Sequence, residues 1–294
     1  MSSEWTFDLR KYKKMRIGLA FANLGYYNYY AAIYCCAEVI AMIIQNCSFT
    51  VHFPQNVTIR ENLFNLEKHF IGFQKPFTLV PLPPDAPADI PRIVAASNGQ
   101  HSQLMFTGTN VQLTVRFDDN FNTDVCKCIE YVRNKSTSMI DALPIIGAEA
   151  NGKPKLYFSG LSISFLFSEK DGINAPIEYI SSNFLKCKSN LREDEAQFRV
   201  AYVVDEKYYV NVMLQNYREF ANGPDERGSF VKLAPSKEGL LVNLDINDRY
   251  AFNNEEGYLS SAEAAEKIVW LAEQFASKYV KEFVEKGEIQ YVLE

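Results

Sequence analysis

Apolar and polar residues alternate with a period of two in CSFTVHF (47–53) and again in LLVNLDI (240–246). Such a run has one face to bury and one to leave in water, and only a half-buried strand satisfies both. Cys47, Phe49, Val51 and Phe53 fall on one face of the first run, with Ser48, Thr50 and His52 on the other. In the second, Leu240, Val242, Leu244 and Ile246 oppose Leu241, Asn243 and Asp245. Further strands are expected in IVAAS, QLMFTG and VQLTVRF, which form a meander with Asn98-Gly99 and Gly108 at its turns. LPIIGAEANGKPKLYFSGLSISFLF reads as a hairpin turning at Asn151-Gly152, its second arm bulged near Gly160. AQFRVAYVV and YYVNVMLQNY pair around Asp205-Glu206-Lys207.

Helical spacing appears between these runs. A helix apolar on nearly all sides is expected over 29–45, a weaker one over 57–73 with Leu63, Leu66 and Phe70 on its stripe, an amphipathic one from Phe121 to Leu143 opened by Asn122 or Thr123, and a short one from Pro176 to Leu185. The last helix runs from Ser260 to Glu285, opened by a Ser260/Glu263 capping box. Ala265, Ile268, Ala272, Phe275, Tyr279 and Phe283 form its stripe, which is expected to lie on a sheet. PLPPDAPADIP (81–91) is too rich in proline for a helix or central strand and reads as an extended connector. Strands outnumber helices, so the class is α+β, with mainly antiparallel sheets packed by long helices. Residues 14–143 and 144–286 repeat one order of elements, which reads as a duplicated β-α-β-β-β-α unit and divides the chain into α+β halves at 1–143 and 144–294.

The formal charge of −6 sets the whole-molecule field against phosphates, so no nucleic acid is expected as a partner. Arg10, Lys11, Lys13, Lys14 and Arg16 form one basic cluster, which reads as a solvated terminal segment. MSSEWTFDL lacks the pattern of a secretory signal, and the apolar run 26–44 contains Asn28 and Glu38 and falls short of a bilayer span. The six cysteines are placed poorly for bridges within their close pairs, and a reduced, cytoplasmic protein is expected.

Most site chemistries lack their footprint. His52, His69 and His101 are far apart in sequence, and no HExxH, GxxxxGK[ST] or GxGxxG is present, so no cofactor is expected. Cys126 and Cys128 have no second Cys or His pair nearby to complete a zinc site and read as packing residues. GLSIS matches a nucleophile elbow only until Ser164 stands where glycine is needed. Asp205-Glu206-Lys207 has the form of a degenerate nuclease motif but sits where a hairpin turn belongs. In LDINDRY, Asp245 and Asp248 are candidate metal ligands. Arg249 and Tyr250 break the calcium-loop pattern, so a cation would need a remote carboxylate such as Glu193, Asp194 or Glu195.

The order of PRIVAASNGQHSQLMFTGTNVQLTVRF, a long helix, PIIGAEA, LSISFLF, LLVNLDIN and a closing helix ending KYVKEFVE resembles a sporadically distributed family of uncharacterised prokaryotic proteins, related in shape to SecB-like chaperones. The family's arginine-rich strand has no counterpart over 145–150. The resemblance implies a binding or accessory role linked to a defence or toxin system. Two functions follow as expectations. One is a chaperone-like or adaptor-like protein, able to form a homo-oligomer, that offers an apolar sheet surface with Tyr202, Tyr208 and Tyr209 to a protein partner. The other is a metal-dependent hydrolase or nuclease using Asp245 and Asp248.

Overall fold

The computed structural model describes residues 42–83, 85–146, 149–150, 153–168, 175–185, 191, 193–220 and 235–291. The chain divides into units 1–36 and 37–294, and every described residue belongs to the second. The basic cluster at 10–16 and most of the helix expected over 29–45 therefore lie outside the described residues. The last four residues of that expected helix begin a strand instead.

This strand is β1 (Met42–His52). After it come a single turn of 3-10 helix (Ile59–Asn62), α1 (Leu63–His69), β2 (Thr78–Leu79), β3 (Ile93–Ala96), β4 (Ser102–Phe106) and β5 (Asn110–Arg116). Then follow α2 (Val125–Asp141), α3 (Leu143–Ile146), a two-stranded ribbon of β6 (Glu149–Ala150) and β7 (Lys153–Pro154), and β8 (Phe158–Ser168). Next are α4 (Pro176–Ile180), which runs into a π-turn at Ser181–Leu185, β9 (Gln197–Val204), β10 (Tyr208–Phe220) and β11 (Pro235–Asn247). The chain continues through α5 (Arg249–Asn254) and α6 (Ala262–Gln274), a π-turn at Phe275–Tyr279, and α7 (Val280–Lys286).

Among the described residues, nine strands join in one antiparallel sheet in the order β2-β3-β4-β5-β1-β8-β11-β10-β9. The α+β class with antiparallel sheet is thus the observed one. Position 143/144 divides the sequence but not the packing, because β1 pairs with β5 on one side and with β8 on the other.

One face of the sheet is the core. Cys47, Phe49 and Val51 on β1 align with Leu161 and Ile163 on β8, Leu244 and Ile246 on β11, and Val210 and Val212 on β10, all buried. α2 packs on this face at β1, and α6 packs at β8 and β11. The expected stripe of the closing helix is where it was placed: Ala265, Ile268, Ala272, Phe275, Tyr279 and Phe283 are all buried.

Several local expectations are corrected. Helix α2 begins at Val125 and is capped by Asp124, whose carboxylate accepts from the Lys127 amide at 3.1 Å, so neither Asn122 nor Thr123 opens it. LPII is helical, not an arm of a hairpin. The bulge lies in β1 between Ile44 and Asn46, and β8 keeps register through Gly160 on both sides. The closing helix is capped one residue later than expected, by Ser261, whose hydroxyl accepts from the Ala264 amide. Ser260 is taken by Asp248. The expectation that all six cysteines are reduced is also corrected, since Cys126 is disulfide-bonded.

Candidate functional site

The second face of the sheet carries the other half of the alternation. Reading across β1, β8, β11 and β10, the register lines up Asn46, Ser164, Asn243 and Met213 in one rung. The next holds Ser48, Ser162, Asp245 and Asn211, and the one after it Thr50, Gly160, Asn247 and Tyr209. Gln112 on β5 joins through a hydrogen bond from its side-chain amide to Ser48 Oγ at 2.9 Å. In these three rungs amides and hydroxyls largely replace the aliphatic residues of the core face, while the rung beyond Asn243 holds Ile43, Leu166 and Leu241.

Asp245 is the centre of this network. Its Oδ1 accepts from Ser162 Oγ at 2.8 Å, and its Oδ2 accepts from the side-chain amides of Asn211 at 3.0 Å and Asn247 at 2.8 Å. Arg199 on β9 donates in turn to Asn211 Oδ1 at 3.2 Å. A carboxylate with about four acceptor sites is left with about one unfilled.

Gly160 sits between Thr50 and Asn247 and leaves a hollow there. A methyl group at this position would come within 3.0 Å of Asn247 Cβ, so the absence of a side chain lets the strands lie as they do. The hollow has a volume of about 180 Å³ and is lined by Ser48, Thr50, His52, Phe158, Asp245 and Arg249, among others. His52 lies on the Phe158 ring with centroids 4.3 Å apart, and the Arg249 guanidinium is 5.0 Å from the same centroid. Partial burial, and then the neighbouring Arg249 charge, lower the His52 pKa, which keeps its imidazole neutral at pH 7.

Asp248 does not share this site. Its side chain is fully buried, with Oδ1 accepting from the Ser159 amide at 2.7 Å and Oδ2 from Tyr258 Oη at 2.8 Å and Ser260 Oγ. The carboxylate stands in for a strand acceptor beyond the end of β11 and ties the start of α6 to β8. Glu193, Asp194 and Glu195 precede β9 at its far end, where Asp194 pairs with Arg218. Among the described residues, no group of three or more His, Cys, Asp or Glu side chains is gathered as a metal site would require. His69 is bonded to the Ser138 carbonyl at 3.0 Å and His101 faces Asp118 at 3.9 Å. Asp205 and Glu206 both have positive φ, 53° and 49°, and form the hairpin turn read from the sequence.

The three tyrosines expected on one exposed surface are split. Tyr202 and Tyr208 lie on the core face, Tyr208 being only 4% exposed. Tyr209 lies on the polar face against Tyr250, with ring centroids 5.2 Å apart. Alternation dictates this, because neighbours in a strand point to opposite sides.

No family model matches the chain, and no curated protein does. A solved chain described as the rolling circle replication initiator protein from Geobacillus stearothermophilus matches at a TM-score of 0.28 and 9% identity, over 80% of this chain and 84% of that one. Two expectations are corrected here. The chaperone-like or adaptor-like role rested on an apolar sheet surface with Tyr202, Tyr208 and Tyr209, whereas two of these tyrosines lie on the core face and three successive rungs of the second face are mainly polar. The exclusion of nucleic acid rested on the charge of the whole chain, whereas this face carries the exposed side chains of Arg116 on β5 and Arg199 on β9, and Arg249 lines the hollow with Asp245. Sequence reasoning missed Arg249, Arg199 and Gly160 as site residues. The signal available for the two on strands was their place on the polar side of an alternating run. Among the described residues, no helix is long and apolar enough to cross a membrane.

Proposed function

We propose that the polar face of the sheet binds single-stranded nucleic acid. The observation that carries this reading is a sheet face with rungs of amides and hydroxyls, among them the exposed Asn46, and three exposed arginines on a chain whose net charge is −6. A field against polyanions over the whole molecule leaves phosphate contacts to be made locally, and arginine makes them through its fork of donors. Asparagine, glutamine, serine and threonine side chains reach the sugars and base edges of a strand that is not paired.

Fluorescence anisotropy with labelled single- and double-stranded oligonucleotides over a salt series tests it. Three phosphate contacts give a slope of log K against log salt of about −2 for a single strand, at about −0.7 per contact. Arg199→Gln should weaken binding and reduce the slope by about one contact's worth. Binding that is unchanged in Arg116→Gln, Arg199→Gln and Arg249→Gln alike would remove the face from consideration.

A second reading, hydrolysis of the bound strand with a divalent cation at Asp245, is favoured by one observation. That carboxylate lines the hollow and is fixed by three donors. On this reading manganese-dependent cleavage of a labelled strand is lost in Asp245→Asn and retained in Asp248→Asn wherever the latter folds. Cleavage that survives Asp245→Asn would end it.

A further inference from the structure

The two ends of the hollow differ in charge. At one end the Arg249 guanidinium and the His52 imidazole both lie against Phe158. At the other, Asp245 offers an acceptor, with Ser162 and Asn247 already donating to it. Gly160 and the hydroxyls of Ser48 and Thr50 lie between. Asp245 shares a rung with Ser162, and Phe158 lies four residues along β8, which in extended chain is roughly 13 Å. A volume of about 180 Å³ is below the roughly 300–1,000 Å³ of pockets for drug-sized ligands. It accommodates one ring and a small charged group.

We infer that the hollow is a subsite for a sugar carrying one terminal phosphate, with the phosphate at the Arg249–His52 end and a sugar hydroxyl at Asp245. The inference rests on the nucleic-acid reading of the face and names which part of a strand the hollow takes: its 5′-phosphorylated end. The Arg249 guanidinium is exposed, and its fork of N–H donors suits bidentate contact with a phosphate. Asp245 repels that phosphate from its own end and accepts from a hydroxyl there, so the charges fix the direction in which the ligand enters. A terminal phosphate carries more charge than a bridging one and does not need room for chain on both sides.

The test compares a 5′-phosphorylated and a 5′-hydroxyl oligothymidylate of the same length by anisotropy, with adenosine 5′-monophosphate titrated by calorimetry. The phosphorylated strand should bind about tenfold more tightly, as one charge-assisted bidentate contact implies. That ratio should fall to near one in both Arg249→Gln and Gly160→Val, whose thermal melts show whether they are folded. Equal affinity of the two strands for the native protein overturns the subsite and leaves the nucleic-acid face standing. If neither strand binds, the face reading fails and the mononucleotide decides alone. Saturable binding lost in Arg249→Gln then keeps the subsite for a free nucleotide, and its absence overturns it.

Discussion

Asp245 and Asp248 are three residues apart, and their surroundings give them opposite roles. The place of Asp245 on the polar face follows from alternation alone. The burial of Asp248 does not, because its partners lie 10, 12 and 89 residues away in the chain. Replacing Asp248 with Ala strips an acceptor from three donors and should cost about 3 kcal/mol in urea melts, while Asp245→Ala should cost less than about 1 kcal/mol. Equal losses would mean that Asp248 is not the anchor its bonds make it. The same carboxylate bears on alkaline stability. Burial pushes the Tyr208 phenol up to about 12, and the charges of Asp248 and Asp205 add to the effect. The unfolded chain loses this proton near pH 10 and the folded chain near 12, so stability should hold up to about pH 10 and fall as the pH rises toward 12. Tyr208→Phe should flatten that fall in melts taken across the range.

At the scale of elements, the closing helix was the most readable part of the sequence, since its stripe repeats over five turns and needs no distant partner to be seen. Its start was misread by one residue. Ser260 and Ser261 both suit a cap, and what separates them is Asp248, which the local pattern does not contain. The strand β1 was misread at its beginning for a related reason. Met42, Ile43 and Ile44 end an apolar run, and a buried strand and a buried helix look alike over three such residues. Phe275 is 1% exposed and its ring stacks on Tyr291 with centroids 5.5 Å apart. Phe275→Ala should therefore cost about 3–5 kcal/mol. Glu273 accepts from Arg133 at 3.1 Å and links α6 to α2 at the surface, so Glu273→Ala should cost at most about 1 kcal/mol. A double-mutant cycle with Arg133→Ala separates this pair from packing, and a coupling well above that figure would show that the ion pair organises the two helices.

At the scale of the molecule, the sequence disclosed the strands and their faces but not that they form one sheet. Pairing between β1 and β8 joins residues more than a hundred positions apart, and nothing in a local pattern marks two runs as partners. The repeated order of elements suggested two halves. The register pairs β1 with β5 over 46–52 and with β8 over 42–52. A fragment of residues 42–143 would therefore leave the edge of β1 that faces β8 open, and it should self-associate in sedimentation velocity more strongly than the full chain. A monomeric fragment with native-like circular dichroism would show that this half stands alone. The same seam sets a condition on biosynthesis. A ribosome adding about 5–20 residues per second needs roughly 5–20 s to go from the end of β1 to the start of β8. For that interval the nascent chain has a sheet with one open border, and a ribosome-associated holdase or a pause in translation at that point would decide how much of it reaches the native state.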